Sequence, residues 1–141
     1  AGGLGVAASR WWAPPEPASS GPMLSLEITT GGAAVPASLA LSPDGRYLAY
    51  VGVTNGQRRL RLRPMDSGVE RELPGTEGAL YPFWSPDSRA IGFGAGNRLM
   101  RIDVNGGLAR VLVPNALTFA GGTWNRAGQI LFVPNSAGSV Y

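Results

Sequence analysis

Leu41-Ser42-Pro43-Asp44-Gly45-Arg46-Tyr47-Leu48-Ala49-Tyr50 decides how this chain is read, because it returns as Trp84-Ser85-Pro86-Asp87-Ser88-Arg89-Ala90-Ile91-Gly92-Phe93. A third, degenerate copy runs Trp124-Asn125-Arg126-Ala127-Gly128-Gln129-Ile130-Leu131-Phe132. Each copy reads as a tight turn between two strands. The Pro ring presets φ for the first central turn position. Asp and Gly tolerate the left-handed conformation that closes such a turn. A large apolar residue (Leu41, Trp84, Trp124) precedes each turn, and the strand after it alternates towards an aromatic side chain (Tyr50, Phe93, Phe132).

Leu41, Trp84 and Trp124 stand 43 and 40 residues apart. Two more strand-like runs separate the hairpins, 59–65 and 69–73 in the first unit and 98–104 and 108–112 in the second. Asp66-Ser67-Gly68 and Asn105-Gly106-Gly107 are the turns between them. A period of about 40–45 residues with four short antiparallel strands per unit is the signature of a propeller blade. The expected fold is therefore all-β, an incomplete β-propeller over 23–141. It comprises two four-stranded antiparallel blades, about 38–73 and about 80–112, plus the first hairpin of a third at about 121–141. Residues 24–29 (LSLEIT) read as the strand that would close a whole ring by pairing with its last blade. Because Trp84 and Trp124 recur at one repeat position, they read as wedge fillers between blades, each burying on the order of 200 Å², rather than as a ligand platform. Asp44 and Asp87 read as turn-capping residues rather than Ca²⁺ ligands, since no partner carboxylates lie nearby.

The rest of the composition bounds the chemistry. Of 141 residues 44% are hydrophobic and 15% charged, too apolar for a disordered chain. With 21 Gly and 12 Pro, turns are favoured over long helices. Cys and His are both absent, which excludes a disulfide framework, a zinc finger, haem ligation and an imidazole base. All 12 basic residues are Arg, so no Walker-type phosphate loop or Schiff base is available. No G-x-S-x-G nucleophile elbow occurs. The net charge of +3 carries no basic stripe. Its densest group, Arg58, Arg59, Arg61 and Arg63, alternates with Leu60 and Leu62. That pattern reads as a half-buried strand with a solvated Arg face rather than a phosphate-binding patch. No nucleic acid, metal or cofactor is expected as a partner.

Ala1–Ser9 (AGGLGVAAS) is apolar and uncharged, and Arg10-Trp11-Trp12 follows. Nine residues cannot span a bilayer, which takes roughly 20. Residues 1–12 therefore read as the end of a membrane helix with its Trp pair at the headgroups, or as a signal segment with Ala7-x-Ser9 as its cleavage site; a plain flexible terminus is the third reading. Gly3-Leu4-Gly5-x-x-Ala8 does not read as a dinucleotide fingerprint, because a double Trp and a Pro run follow it where the helix of a βαβ unit is needed. Residues 13–22 (APPEPASSGP) form a Pro/Ser linker.

The Ser-Pro-Asp-Gly/Ser-Arg hairpins, with Leu-Ala-Tyr or Ile-Gly-Phe after them, resemble the WD-like repeat of TolB-type bacterial β-propellers. Leu73-Pro74-Gly75-Thr76-Glu77-Gly78-Ala79, Pro82-Phe83-Trp84-Ser85-Pro86-Asp87-Ser88-Arg89, Arg101-Ile102-Asp103-Val104-Asn105-Gly106-Gly107 and Gly121-Gly122-Thr123-Trp124-Asn125 resemble one subgroup. That subgroup is the extracytoplasmic propeller of bacterial transmembrane serine/threonine protein kinases. The resemblance covers 38–141 and includes no kinase motif, so no catalytic residue is assigned. It implies a non-catalytic sensor or interaction propeller on the periplasmic side, anchored through the N-terminal segment. Alternatives are a periplasmic TolB-like protein-binding scaffold and the gating propeller of a prolyl-oligopeptidase-like serine hydrolase. The expected partners are a protein or small ligand, the membrane and the remaining blades of the same propeller. Binding is expected at the channel mouth, where Glu77, Tyr81, Phe119 and Thr123 each lie just before an inner-strand Trp. Fewer than about three full blades leave an open apolar face, so the 141-residue chain alone is expected to associate.

Overall fold

The computed structural model describes residue 2, residues 33–116 and residues 119–133. The segment 1–12 (Gly2 apart), the linker 13–22, the strand expected at 24–29 and residues 134–141 lie outside the described residues. Strands β1 (Ala33–Leu41), β2 (Tyr47–Thr54), β3 (Gln57–Pro64) and β4 (Arg71–Glu72) form one antiparallel sheet in sequence order. Strands β5 (Ala79–Trp84), β6 (Ala90–Ala95), β7 (Arg98–Asp103) and β8 (Arg110–Val113) form a second sheet of the same order. A hairpin of β9 (Gly122–Trp124) and β10 (Ile130–Phe132) follows. No helix occurs among the described residues. Sequential pairing within each unit and stacking between units is the arrangement of propeller blades.

The recurring turn is held by its own side chains. Ser42 Oγ donates to Asp44 Oδ1 at 2.6 Å, Asp44 Oδ1 accepts the Arg46 N–H at 3.0 Å, and Ser42 Oγ accepts the Tyr47 N–H at 2.9 Å. Ser85, Asp87, Arg89 and Ala90 repeat the pattern at 2.6, 3.1 and 2.9 Å. In the third copy Ala127 has no carboxylate to offer. Asn125 Oδ1 replaces it, accepting the N–H groups of Ala127 and Gln129 at 3.0 and 2.9 Å. Gly45, Ser88 and Gly128 close the three turns with φ of 71°, 60° and 83°. Ser88, strained by its side chain there, uses its Oγ to accept the Asp44 N–H of the neighbouring sheet at 3.1 Å.

Alternation then decides what lies between the sheets. Ala49, Val51, Leu60, Leu62 and Leu73 of the first unit bury against Ala79, Trp84, Ile91, Phe93 and Ile102 of the second. Trp84 is 7% exposed. Its indole N–H donates to the Ala40 carbonyl at 2.8 Å, and its ring stacks on Tyr47 at 6.4 Å. A second cluster, with Phe83, Leu99, Ala116 and Phe119 at its centre and Trp124, Ile130 and Phe132 packed on it, joins sheet two to the hairpin. Glycine makes this seam thin. A Cβ on Gly92 would lie 2.3 Å from the Phe83 ring, and one on Gly94 would lie 2.5 Å from the ring of Phe119.

Two sequence expectations change in detail. The first inner strand starts at Ala33, not near residue 38. Ala33 and Ala34 pair with Val53 and Gly52, and the ladder then slips before Leu39 pairs with Tyr50. The slip contains Pro36, which has no N–H to give a ladder and is tolerated at such a bulge. The Arg face of β3 does point away from the Leu core, but it is only partly solvated: the Arg59 side chain is 35% exposed and that of Arg61 14%.

Candidate functional site

The inner strands are β1, β5 and β9, and the first two are bulged. In β5 the register slips between Leu80 and Phe83. Tyr81 takes up the slip with φ of 50°, a left-handed backbone that an aromatic residue adopts only at a cost. Its N–H points at Ser38 Oγ, 3.4 Å away, and Ser38 is itself buried in the slip of β1. The two bulges are thus linked across neighbouring inner strands. The Tyr81 side chain remains exposed.

The loop leading into β5 is fixed by Thr76. Its buried hydroxyl accepts the Leu60 N–H at 3.0 Å and donates to the Leu73 carbonyl at 2.6 Å. The Gly78 N–H donates to the Arg58 carbonyl at 2.8 Å. Between these clamps Glu77 is held out beside Arg59, with 3.3 Å separating Oε1 from Nε.

The four candidate positions do not converge on one pocket. Glu77 and Tyr81 border the same loop and inner strand. Phe119 is buried in the seam, where its ring stacks on Phe83 at 6.1 Å and lies near Phe132 at 6.4 Å. It faces no solvent from which a ligand could reach it. Thr123 is exposed in β9, opposite Leu131.

The richest polar constellation among the described residues lies elsewhere, on the face of the first sheet turned away from the second. The Tyr50 hydroxyl donates to a Glu70 carboxylate oxygen. Glu70 also receives Arg61 Nη1 at 2.8 Å, and Arg61 Nη2 reaches Thr54 Oγ1 at 2.6 Å. Glu72 sits 3.9 Å from Arg61 and 2.5 Å from Arg59, and Glu77 completes the chain. Burial first, then the adjoining Glu70 carboxylate, push the Tyr50 hydroxyl up to about 12. Arg61 lies flat across Gly52, where a Cβ would meet its Nε at 2.7 Å. Sequence reading placed these Arg residues on one face but did not find their carboxylates. The available signal was the mismatch between repeat copies, Tyr50 and Arg61 standing where the second copy has Phe93 and Met100.

The turn carboxylates are occupied by local bonds. The hydroxyl of Ser42 and the Arg46 N–H hold Asp44 below the usual carboxylate range, and those of Ser85 and Arg89 do the same for Asp87. Among the described residues no group of three or more His, Cys, Asp or Glu could hold a metal ion. What this architecture offers is rigid, self-capped turns and two surfaces that meet at Glu77: an inner rim with Tyr81, and an ion-paired outer sheet face.

The chain matches no protein-family profile and no curated protein. It is similar to solved structures. A putative TolB from Agrobacterium tumefaciens is 26% identical with a TM-score of 0.63, the match covering 73% of this chain and 39% of that one. TolB from Acinetobacter baumannii is 18% identical with a TM-score of 0.56, covering 73% of this chain and 30% of that one. The β-propeller domain of the Trilobed protease from Pyrococcus furiosus is 18% identical with a TM-score of 0.53, over 67% and 34%. The chain spans about two-fifths or less of the length of these structures. The fold is accordingly that of a TolB-like β-propeller, with two four-stranded blades and a hairpin of a third among the described residues.

Proposed function

We propose that this chain is part of a non-catalytic interaction propeller, a TolB-like protein-binding scaffold on the periplasmic side of a bacterial membrane. The likeness to a TolB at 26% identity over 73% of the chain carries this reading. Propellers of peptidases match at 17–18% identity and support the fold alone. The contact surface in this reading is the inner rim. There a strained Tyr81 is held exposed by a bulge and the clamped loop presents Glu77, features that a rigid scaffold displays to a partner.

A second, finer reading attaches the propeller to a membrane-anchored serine/threonine protein kinase as its extracytoplasmic sensor. It is favoured by the order of an apolar segment, the Trp11-Trp12 pair, the 13–22 linker and the repeats. The open reading frame separates the two, since H-R-D and D-F-G motifs upstream select the kinase. Protease treatment of cells making the tagged full-length protein tests the location. Cleavage within the propeller is expected in spheroplasts with an intact inner membrane. Protection until the membrane is lysed overturns a periplasmic site. A photo-crosslinking residue at Tyr81 is expected to capture one defined partner protein that the same probe at exposed Leu108 does not; identical patterns from both overturn the rim assignment.

A further inference from the structure

Aligning the repeat copies exposes a change of chemistry on equivalent faces. In the second sheet the face that packs on the first carries Trp84, Ile91 and Ile102 in one cross-strand row and Phe93, Met100 and Val111 in the next. In the first sheet the same rows, on the face pointing the other way, are Leu41, Leu48 and Arg63, then Leu39, Tyr50, Arg61 and Glu72. The inner half has stayed apolar, and its first strand is bare: Leu39 is 63% and Leu41 55% exposed, although Pro82 and Trp84, their counterparts, are buried. In the outer half the apolar side chains have become the Tyr50–Glu70–Arg61–Glu72–Arg59 network.

We infer that this face docks another sheet of the same propeller through a two-part seam, dry at the channel side and ionic at the rim. Two bare leucines at positions built for burial call for a covering sheet. The TolB structure is long enough to supply one, since the match takes up only 39% of it. A dry apolar wedge cannot cover the outer half, because stripping water from ion pairs costs more than their attraction returns. The covering sheet therefore carries polar side chains there and leaves water between them. Charge on the face is balanced, with Arg59, Arg61 and Arg63 against Glu70, Glu72 and Glu77, so the partner surface fits as polar rather than strongly charged. The first-to-second seam, apolar along both rows, does not share this property.

This inference rests on reading the chain as part of a longer TolB-like propeller. That reading fails if the flanking frame codes for no further blades, whereas the inference fails at the level of individual thiols. The chain has no native Cys, so single substitutions can be followed by maleimide labelling and peptide mapping in the full-length protein. Leu41→Cys reports the inner half, Arg63→Cys the rim and Leu99→Cys the apolar seam of the second sheet. Rates are compared with those of the urea-unfolded protein in about 0.1 M and about 1 M salt, where the screening length falls from about 10 to about 3 Å. Leu41→Cys and Leu99→Cys are expected to label slowly at both salts. Arg63→Cys is expected to label about tenfold faster at high salt, and Tyr50→Phe/Arg61→Met, which copies the second sheet, removes that response. Fast labelling of Leu41→Cys at both salts means that no sheet covers the face and overturns the inference. Slow, salt-indifferent labelling of Arg63→Cys means an ordinary dry wedge and overturns it equally.

Discussion

Gly92→Ala turns the thinness of the second seam into a number whose sign is decisive. Gly92 pairs directly with Phe83 across β5 and β6. A methyl group there would lie 2.3, 2.6 and 2.7 Å from three ring carbons. The ring has nowhere to retreat. On its other side a Cβ at Gly122 would meet the same ring at 2.9 Å, and Phe119 and Trp124 hold it at centroid distances of 6.1 and 6.5 Å. Forcing a methylene-sized group into such a core costs about 1–3 kcal/mol, so we expect about 2 kcal/mol of destabilisation. That corresponds to a melting temperature lower by roughly 4–8 °C for a domain of about 150–250 residues. If Phe83 did not lie over Gly92, the same change in a strand would instead stabilise by about 0.5–1 kcal/mol through lost chain entropy. Urea unfolding of the full-length propeller, followed by tryptophan fluorescence, reads the difference. Phe83→Leu in the same background should recover part of the loss, with a favourable coupling of at least about 1 kcal/mol in the double-mutant cycle. A Gly92→Ala protein as stable as its parent refutes the stacked seam.

Thr76→Val should cost about 2–4 kcal/mol, since the Leu60 N–H and Leu73 carbonyl both lose a buried partner. Thr76→Ser, which keeps the hydroxyl, should cost about 1 kcal/mol; equal losses in urea midpoints contradict the clamp. Stability should also have two pH limbs. Tyr50 rises from 10.0 when unfolded to about 12 when folded, so its contribution is complete below pH 10 and disappears as pH climbs towards 12. Tyr50→Phe flattens that alkaline limb, and an unchanged limb contradicts the burial of this hydroxyl beside Glu70. Asp44 and Asp87 fold with values lowered from 3.8, so their contribution is present above 3.8 and fades as pH drops through the folded values. Asp87→Asn weakens the acid limb, as urea midpoints between pH 2 and 5 will show. The isolated 141-residue chain, with Leu39, Leu41 and Leu131 bare and sheet edges open, should sediment as concentration-dependent oligomers. A single sharp monomer boundary counts against it.

Local chemistry made the turns legible. Ser-Pro-Asp-Gly-Arg names its own hydrogen bonds, and even the degenerate copy keeps a side-chain acceptor in Asn125. Alternation then fixed which side of β2 and β3 faces the core. The bulges were not legible, because the slip around Ser38 and Tyr81 answers to the fit of neighbouring inner strands rather than to residue type. Phe119 looked like a rim residue because it precedes β9. The bare backbone of Gly94 opens space for its ring inside the seam, and only a three-dimensional register connects the two. The same holds for the outer network. Arg59 and Arg61 belong to β3, whereas Glu70 and Glu72 arrive from the far side of a turn, and pairing between them appears once β3 and β4 are in register. Glu77 stands in the loop before β5, and the buried threonine that fixes this loop carries no sequence signal of its burial.

Each repeat is a separate sheet packed face to face on the next, and the Trp84 indole reports on that packing from inside the seam. Its N–H donates to the Ala40 carbonyl of the neighbouring sheet at 2.8 Å, beside the Tyr47 ring. In the selectively labelled protein this proton should exchange slowly and show nuclear Overhauser contacts to Ala40 and Tyr47. Exchange at the solvent rate, or contacts only to residues of its own repeat, would contradict the radial stack.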